Sequence, residues 1–306
     1  MAVIKFYSEN AEFQSFAALK TNRNKRHRKR AFFVEGVRNI NAAIKYQWHI
    51  DAYIYSRGRQ LSKWALGAMQ ACPGADLYEL APELMEKLSS KTDTSEIAAI
   101  VRMREGSFVA NAGVGPLQGS CEGAVDDSAS GAASPNSPAS AMAGGMGAPN
   151  PVYVLLDRPS GKGNLGTIMR SCDVFGVEAM FCAGHSVDFY DPEVVAASMG
   201  SLFVTPFYPL GGAQELDSLF SLLRKAHPGI AVIGTSSHAE QAVHMLDLNK
   251  PLLLLIGSEA DGLSWRLAQM ADTMAAIPMG RASYATSLNI GCATAALLYE
   301  AARQRG

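Results

Sequence analysis

Two apolar runs of strand length, Val152 to Leu156 and Leu252 to Ile256, constrain this 306-residue chain most. A strand with one wet face alternates apolar and polar residues, and these two do not. Both faces of each must be buried, as in a parallel sheet covered by helices on either side. The second run stops abruptly in Gly257-Ser258-Glu259-Ala260-Asp261-Gly262. A further short strand, Met274 to Ile277, opens onto a polar loop from Pro278 to Asn289, and helical spacing follows from Ile290 to Arg305. Loops leaving the carboxyl ends of such strands are where open α/β sheets bind ligands, so these two mark the active end.

The same alternation of strands and helices extends through the second half. Val152 to Asp157 reads as a strand, and a helix carrying Ile168, Met169, Cys172 and Phe175 follows. Next come a strand Val177 to Cys182, a short helix Glu193 to Ser198, a strand Leu202 to Phe207, a helix Ala213 to Ala226 and a strand Ile230 to Gly234. This order predicts a mostly parallel sheet with helices on both faces. The first hundred residues read as a smaller α/β unit. Its strands are Ala31 to Glu35, Ile50 to Tyr55 and Ala75 to Leu80; its helices are Val37 to Tyr46, Leu61 to Ala71 and one starting near Pro82. Between the halves, Gly, Ala, Ser and Pro dominate and no aromatic residue follows Phe108 until Tyr153. A compact domain rarely holds so long a structureless loop, so residues 106–150 read as a flexible linker between a domain at 1–105 and one at 151–306.

The net charge of −1 conceals an asymmetry. Residues 1–105 carry 17 Lys and Arg against 11 Asp and Glu, and the remainder carries 10 against 17. Lys20, Arg23, Lys25, Arg26, Arg28, Lys29 and Arg30 crowd together near the amino terminus. That density suits phosphate contacts in nucleic acid, and a solvated basic helix face or a disordered arm is the plainer reading. Five cysteines, odd in number and without a C-x-x-C pair, predict neither a disulfide framework nor a metal site, and fit a reducing compartment. No signal-type segment or membrane-length apolar run is evident, so a cytoplasmic protein without a membrane partner is expected.

One motif misleads. Gly161-x-Gly163-x-x-Gly166 matches the dinucleotide fingerprint and proposes an NAD-dependent dehydrogenase. Its loop is longer than the usual tight turn and contains Arg158, Pro159 and Lys162. The only acidic residue at about the right distance, Asp188, lies in a turn-like stretch instead of ending a strand. Likewise Gly257 and Gly262 have phosphate-loop spacing, but Leu263 stands where Lys is required.

Three motifs together resemble the TrmH-like branch of the SPOUT superfamily, the knotted RNA ribose 2′-O-methyltransferases. They are Asn164-Leu165-Gly166 with Arg170; Ile256-Gly257-Ser258-Glu259 with Gly262-Leu263-Ser264; and Ile277-Pro278-Met279 with Ser287-Leu288-Asn289. The stretch from Met279 to Ser287 is longer than the commonest family pattern, and Ile290-Gly291 replaces the more usual Val-Ser. The amino-terminal unit, with its basic run and Phe33-Val34-Glu35-Gly36, resembles the ribosomal-protein-like substrate-binding domain of many members.

The resemblance implies a trefoil knot, a homodimer, S-adenosylmethionine as cofactor and no metal. It implies catalytic roles for Arg170, Asn164, Glu259, Ser287 and Asn289. Cofactor contacts fall to Gly234, Thr235, Gly257, Ile277, Met279, Ser287 and Leu288. The basic run then holds structured RNA, ribosomal ahead of transfer RNA; a non-catalytic RNA-binding protein of the same fold is the rival. Each residue also has a plainer reading: Arg170 as surface arginine, Asn164 or Ser287 as helix cap, Met279 as packing, and Cys172, Cys182 and Cys292 as core.

Overall fold

The computed structural model describes residues 3–89, 95–104, 108, 150–280 and 282–306. The amino-terminal unit runs Val3–Phe6 (β1), Ala11–Thr21 (α1), Arg23–Lys29 (α2), Ala31–Glu35 (β2), Val37–Lys45 (α3), Ile50–Ser56 (β3), Lys63–Ala71 (α4), Asp76–Leu80 (β4), Pro82–Leu88 (α5) and Ile97–Arg102 (β5). Its five strands are ordered β1-β4-β3-β5-β2. β1, β4 and β3 are parallel, and β5 runs antiparallel between β3 and β2. Three of these elements have weak sequence signals. β1 has four residues, α1 buries only Phe13, Phe16 and Leu19, and the two alanines of β5 carry little strand preference.

The carboxyl-terminal unit continues with Val152–Asp157 (β6), Lys162–Val174 (α6), Ala179–Ala183 (β7), Pro192–Ser198 (α7), Phe207–Pro209 (β8), Ala213–Ala226 (α8), Ala231–Thr235 (β9), Gln241–Ala242 (β10), Leu252–Ile256 (β11), Trp265–Met270 (α9), Thr273–Ala276 (β12) and Ile290–Arg305 (α10). Seven strands lie in the order β10-β12-β9-β11-β6-β7-β8, with every pairing parallel. The two apolar runs are neighbours, Leu252 opposite Val152 and Ile256 opposite Leu156. Both of their faces are buried, as the absence of alternation requires. Val154, Leu156, Leu254 and Ile256 pack toward α6, α7 and α10, while Tyr153, Leu155, Leu253 and Leu255 pack toward α8 and α9.

Residues 202–207 differ from expectation. Instead of a strand, a single 3-10 turn spans Ser201–Phe203, and β8 begins only at Phe207. The apolar residues there serve the contact between the two units. Phe203 packs 5.2 Å from the Trp48 ring and 6.1 Å from Phe32, and the Trp48 indole N–H donates to the Phe203 carbonyl at 3.0 Å. Phe32 also lies 4.7 Å from Tyr190. One apolar cluster therefore runs through both units. The linker assigned to residues 106–150 lies outside the described residues apart from Phe108 and Asn150. Cys172 and Cys182 are core residues, and burial pushes both thiols up; Cys292, expected in the core, is exposed on the first turn of α10.

The basic run is partly spent on this contact. Arg26 is only 2% exposed. Its Nε donates to Asp188 at 2.7 Å, its Nη2 reaches Asp191 at 3.3 Å, and its Nη1 donates to the carbonyls of Leu19 and Lys20. Arg26 is thus corrected from RNA ligand to interdomain ion pair: a buried guanidinium saturated by carboxylates offers nothing to phosphate. Arg23 donates to the Ser186 carbonyl at 2.9 Å, Lys20 to the Leu88 carbonyl and Lys29 to the Ser15 hydroxyl, so their charges are partly engaged. Arg28 and Arg30 are exposed on or beside α2, and Lys25 is half-buried.

Candidate active site

The strand order places the site. β12, β9, β11 and β6 are consecutive in the sheet and parallel, so the loops leaving their carboxyl ends converge on one edge. Residues far apart in sequence meet there. Glu259, in the loop after β11, accepts from the Asn164 amide at 3.0 Å, the Ser160 hydroxyl at 3.0 Å and the Gly161 N–H at 3.3 Å. The Asn289 amide then donates to the Asn164 carbonyl oxygen at 3.0 Å. One hydrogen-bond chain, Glu259–Asn164–Asn289, ties the loops after β6, β11 and β12 together.

Each member is set by local structure. Asn289 is the N-cap of α10, and its Oδ1 accepts from Gly291 at 2.9 Å, which leaves its amide free to turn toward Asn164. Asn164 is not the cap of α6; Gly161 takes that position, and Asn164 sits inside the first turn with its side chain turned to the neighbouring loops. Ser287 does not cap α10 either. It is exposed and makes no hydrogen bond with the described residues. Gly257 is required by a close approach: a Cβ there would stand 2.2 Å from the Gly262 carbonyl carbon. That contact closes the loop, with Ser258 and Gly262 exchanging backbone hydrogen bonds at 3.0 Å.

Burial alone would raise the Glu259 carboxyl, but hydrogen bonds from Asn164 and Ser160 outweigh it and hold the group below the usual carboxylate range. It is therefore an anion that orders loops. It does not pair with Arg170. Arg170 lies on the exposed side of α6, six residues past Asn164, and makes no ion pair or hydrogen bond with the described residues. A cation without a bonding partner among the described residues, on the helix that this network anchors, is available to an anionic substrate.

The expected cofactor residues divide. Ile277 is half-buried, while Met279 and Leu288 are exposed apolar side chains on the loop leading to Asn289. The Thr235 hydroxyl donates to the Leu255 carbonyl at 2.9 Å and fastens the end of β9 to β11. Gly234 is accounted for by packing, since a Cβ would meet the Met274 sulfur at 2.4 Å. Two residues without an expected role prove central. Asp157, buried at the end of β6, pairs with Arg158 at 3.0 Å and accepts the Ser264 N–H at 2.5 Å; Arg158 reaches on to Asp261 at 3.3 Å. The available signal was an aspartate closing an otherwise apolar strand. Among the described residues, no group of three or more His, Cys, Asp or Glu could hold a metal ion.

The sequence profile of the SpoU rRNA Methylase family matches residues 151–299, and that of the SpoU L30e-like domain matches residues 10–99. A 23S rRNA (uridine(2479)-2'-O)-methyltransferase of Streptomyces viridochromogenes is 34% identical over 305 residues, covering 99% of this chain and 93% of its own length. This chain belongs to the SpoU rRNA methylase family. The crystal structure of the SpoU methyltransferase AviRb from S. viridochromogenes, in complex with the cofactor AdoMet, aligns with a TM-score of 0.78 at 34% identity. That alignment covers 97% of this chain and 98% of the other. A 23S rRNA (guanosine-2'-O-)-methyltransferase RlmB of Pseudomonas putida is 30% identical over 156 residues, 51% of this chain and 60% of its own. The SpoU methylase fold, with a mostly parallel sheet behind a smaller α/β domain, is the one expected. The Gly161–Gly166 fingerprint is accordingly not a dinucleotide site: Gly166 is needed where α6 meets α7, since a Cβ would stand 2.5 Å from Ala197 and 2.8 Å from Ser198 N.

Proposed function

We propose that this chain methylates a ribose 2′-hydroxyl of ribosomal RNA, using S-adenosylmethionine. The observation that carries the reading is the Glu259–Asn164–Asn289 chain, which orders three strand-end loops at the start of α6, the helix whose exposed side bears Arg170. The residues fit the cofactor. Its adenosine needs apolar cover and backbone partners; Ile277, Met279 and Leu288, on the loop after β12, offer the first, and the closed Gly257–Gly262 loop after β11 offers the second. The bound cofactor supplies an electrophilic methyl group. The protein's part is alignment of the hydroxyl and stabilisation of charge. Arg170 holds the substrate phosphate and the developing alkoxide. Asn164 and Asn289 orient the ribose, Ser287 lends its free hydroxyl to the same loop, and Glu259 keeps the loops in register.

The remaining parts of the reading rest on narrower support. Residues 1–105 form the substrate-binding domain and residues 151–306 the methyltransferase domain, as the two profile matches support. RNA contacts on α2 and its flank reduce to Lys20, Arg23, Lys25, Arg28, Lys29 and Arg30. A homodimer is supported by two exposed apolar side chains, Val174 and Tyr299, on helices that meet where Phe175 lies edge-on to Tyr299 at 6.5 Å. A trefoil knot accords with β11 lying between β9 and β6. A cytoplasmic location accords with an RNA substrate, and no described helix is long and apolar enough to cross a membrane.

The test is transfer of tritium from labelled S-adenosylmethionine to purified ribosomal and transfer RNA, followed by nucleoside digestion. Label in a 2′-O-methyl nucleoside of ribosomal RNA is expected. Label confined to transfer RNA corrects the substrate, and cofactor binding without transfer to any RNA leaves a non-catalytic RNA-binding protein. Acidification tests the role of Glu259. A carboxyl whose folded pKa is depressed stabilises above its ordinary range and loses that contribution as pH falls through the lowered value. Cofactor affinity measured by calorimetry should therefore be flat across the neutral range and weaken only as pH falls below the ordinary carboxylate range. Glu259→Gln should remove that acid limb, and affinity that rises on acidification would contradict the role.

A further inference from the structure

The contact between the two units forms a seam of which the reaction uses only Arg170. Along α6, Gly166, Arg170 and Asp173 fall at i, i+4 and i+7, on one face of the helix. Gly166 meets Ala197 and Ser198, and Asp173 accepts from the Ser201 hydroxyl at 2.7 Å. Arg170 lies between these two contacts, so it faces the turn at Met199 and Gly200. That turn in turn abuts α3 of the amino-terminal unit. A Cβ at Gly200, whose φ is 106°, would stand 3.2 Å from the Ala42 Cβ and 3.3 Å from the Arg38 carbonyl oxygen. On α3, Arg38 and Lys45 flank Ala42 at i−4 and i+3, and both are exposed. The Lys45 ammonium sits 5.3 Å over the Tyr46 ring; Arg38 makes no ion pair or hydrogen bond with the described residues. Two free guanidinium groups, one from each unit, thus border a single turn. The Asp173 carboxylate shares that face and is held by Ser201.

We propose that the exposed edge of the seam between α3 and the α6–α7 face carries the substrate RNA strand, with Arg38 holding a backbone phosphate beside the nucleotide presented to Arg170. The inference rests on the methyltransferase reading for Arg170 and adds a residue outside the catalytic domain. The exposed side chains of Val37 and Met199 border the same turn and offer apolar surface to an unstacked base. The Arg26 ion pairs to Asp188 and Asp191 fix the two units, so the spacing between the two arginines is set before RNA arrives. Arg38 is a binding residue here, and Arg170 remains the catalytic one.

The experiment measures binding of a 23S rRNA transcript at several salt concentrations, with methyl-transfer kinetics in parallel. Arg38→Ala is expected to weaken binding about five- to tenfold and lower the slope of log affinity against log salt by about 1, as for one lost phosphate contact. Its KM for RNA should rise while kcat and cofactor affinity stay within about twofold. Arg38→Lys, which keeps a point charge, should recover most of the slope. Lys225→Ala, on the opposite face of the sheet, is the control and should change nothing. Binding and slope equal to the unsubstituted protein, or losses matched by Lys225→Ala, overturn the seam. If the unsubstituted protein methylates no RNA yet Arg38→Ala still weakens binding, the catalytic reading fails and the seam stands.

Discussion

Arg170→Ala is expected to slow methyl transfer by about 10²- to 10³-fold, the usual cost of removing one preorganised group that stabilises developing negative charge. The loss should fall on kcat, with cofactor affinity unchanged, because the Arg170 side chain makes no hydrogen bond or ion pair with a cofactor loop among the described residues. The position also separates chemistry from folding. Arg170 is exposed and bonds to nothing in the described structure, so its removal should change stability by no more than about 0.5 kcal/mol. Arg170→Lys should recover only part of the rate, since an ammonium cannot hold a phosphate and an alkoxide in the same planar fork. Single-turnover kinetics with saturating RNA decides the matter; a rate within about threefold of the unsubstituted protein would remove Arg170 from the mechanism.

The second large effect is on stability. Arg26→Ala leaves the Asp188 carboxylate, its side chain only 5% exposed, with the partly exposed His27 ring at 3.3 Å as its remaining side-chain partner among the described residues. Breaking a buried pair from one side costs about 3–5 kcal/mol, because a desolvated charge is left uncompensated. For a protein of this size, that corresponds to a calorimetric Tm lower by roughly 6–10 °C. Adding Asp188→Asn to Arg26→Ala should return part of the loss, since the orphaned charge is then gone; this non-additivity distinguishes an ion pair from a packing effect. An unchanged Tm for the single substitution would mean that the contact between the units rests on the Phe32, Trp48 and Phe203 cluster alone.

These two arginines show two limits of sequence reasoning. Arg170 was singled out by the resemblance of Asn164-Leu165-Gly166 with Arg170 to a family motif, and not by its own surroundings in the chain. Arg26 was not set apart. In sequence it is one cation among seven, and what separates it from Arg28 is a carboxylate 162 residues away. The same holds for Leu202 and Phe203, whose apolar character was plain but whose conformation was decided by Trp48 and Phe32 across the seam. Asp157 and Arg158 show the limit from the other side. Both were visible at the end of β6, but their meaning depends on Ser264 and Asp261, more than a hundred residues on.

The sequence by itself determined the class of the sheet and the ends of its strands. Unbroken apolar runs can be satisfied only by burial on both faces, and helical periodicity from Ile290 to Arg305 or Ala213 to Ala226 is a local property of the chain. It also determined which polar residues stand in the strand-end loops. Only the tertiary structure decided which of them meet. Asn164 reaches Glu259 across 95 residues and Asn289 across 125, because β11 is laid beside β6 and the loop after β12 returns to the same edge. Strand order is a matter of long-range burial and chain crossing, on which local composition carries no information. The fate of each charge, paired in the seam or left exposed, follows from that order.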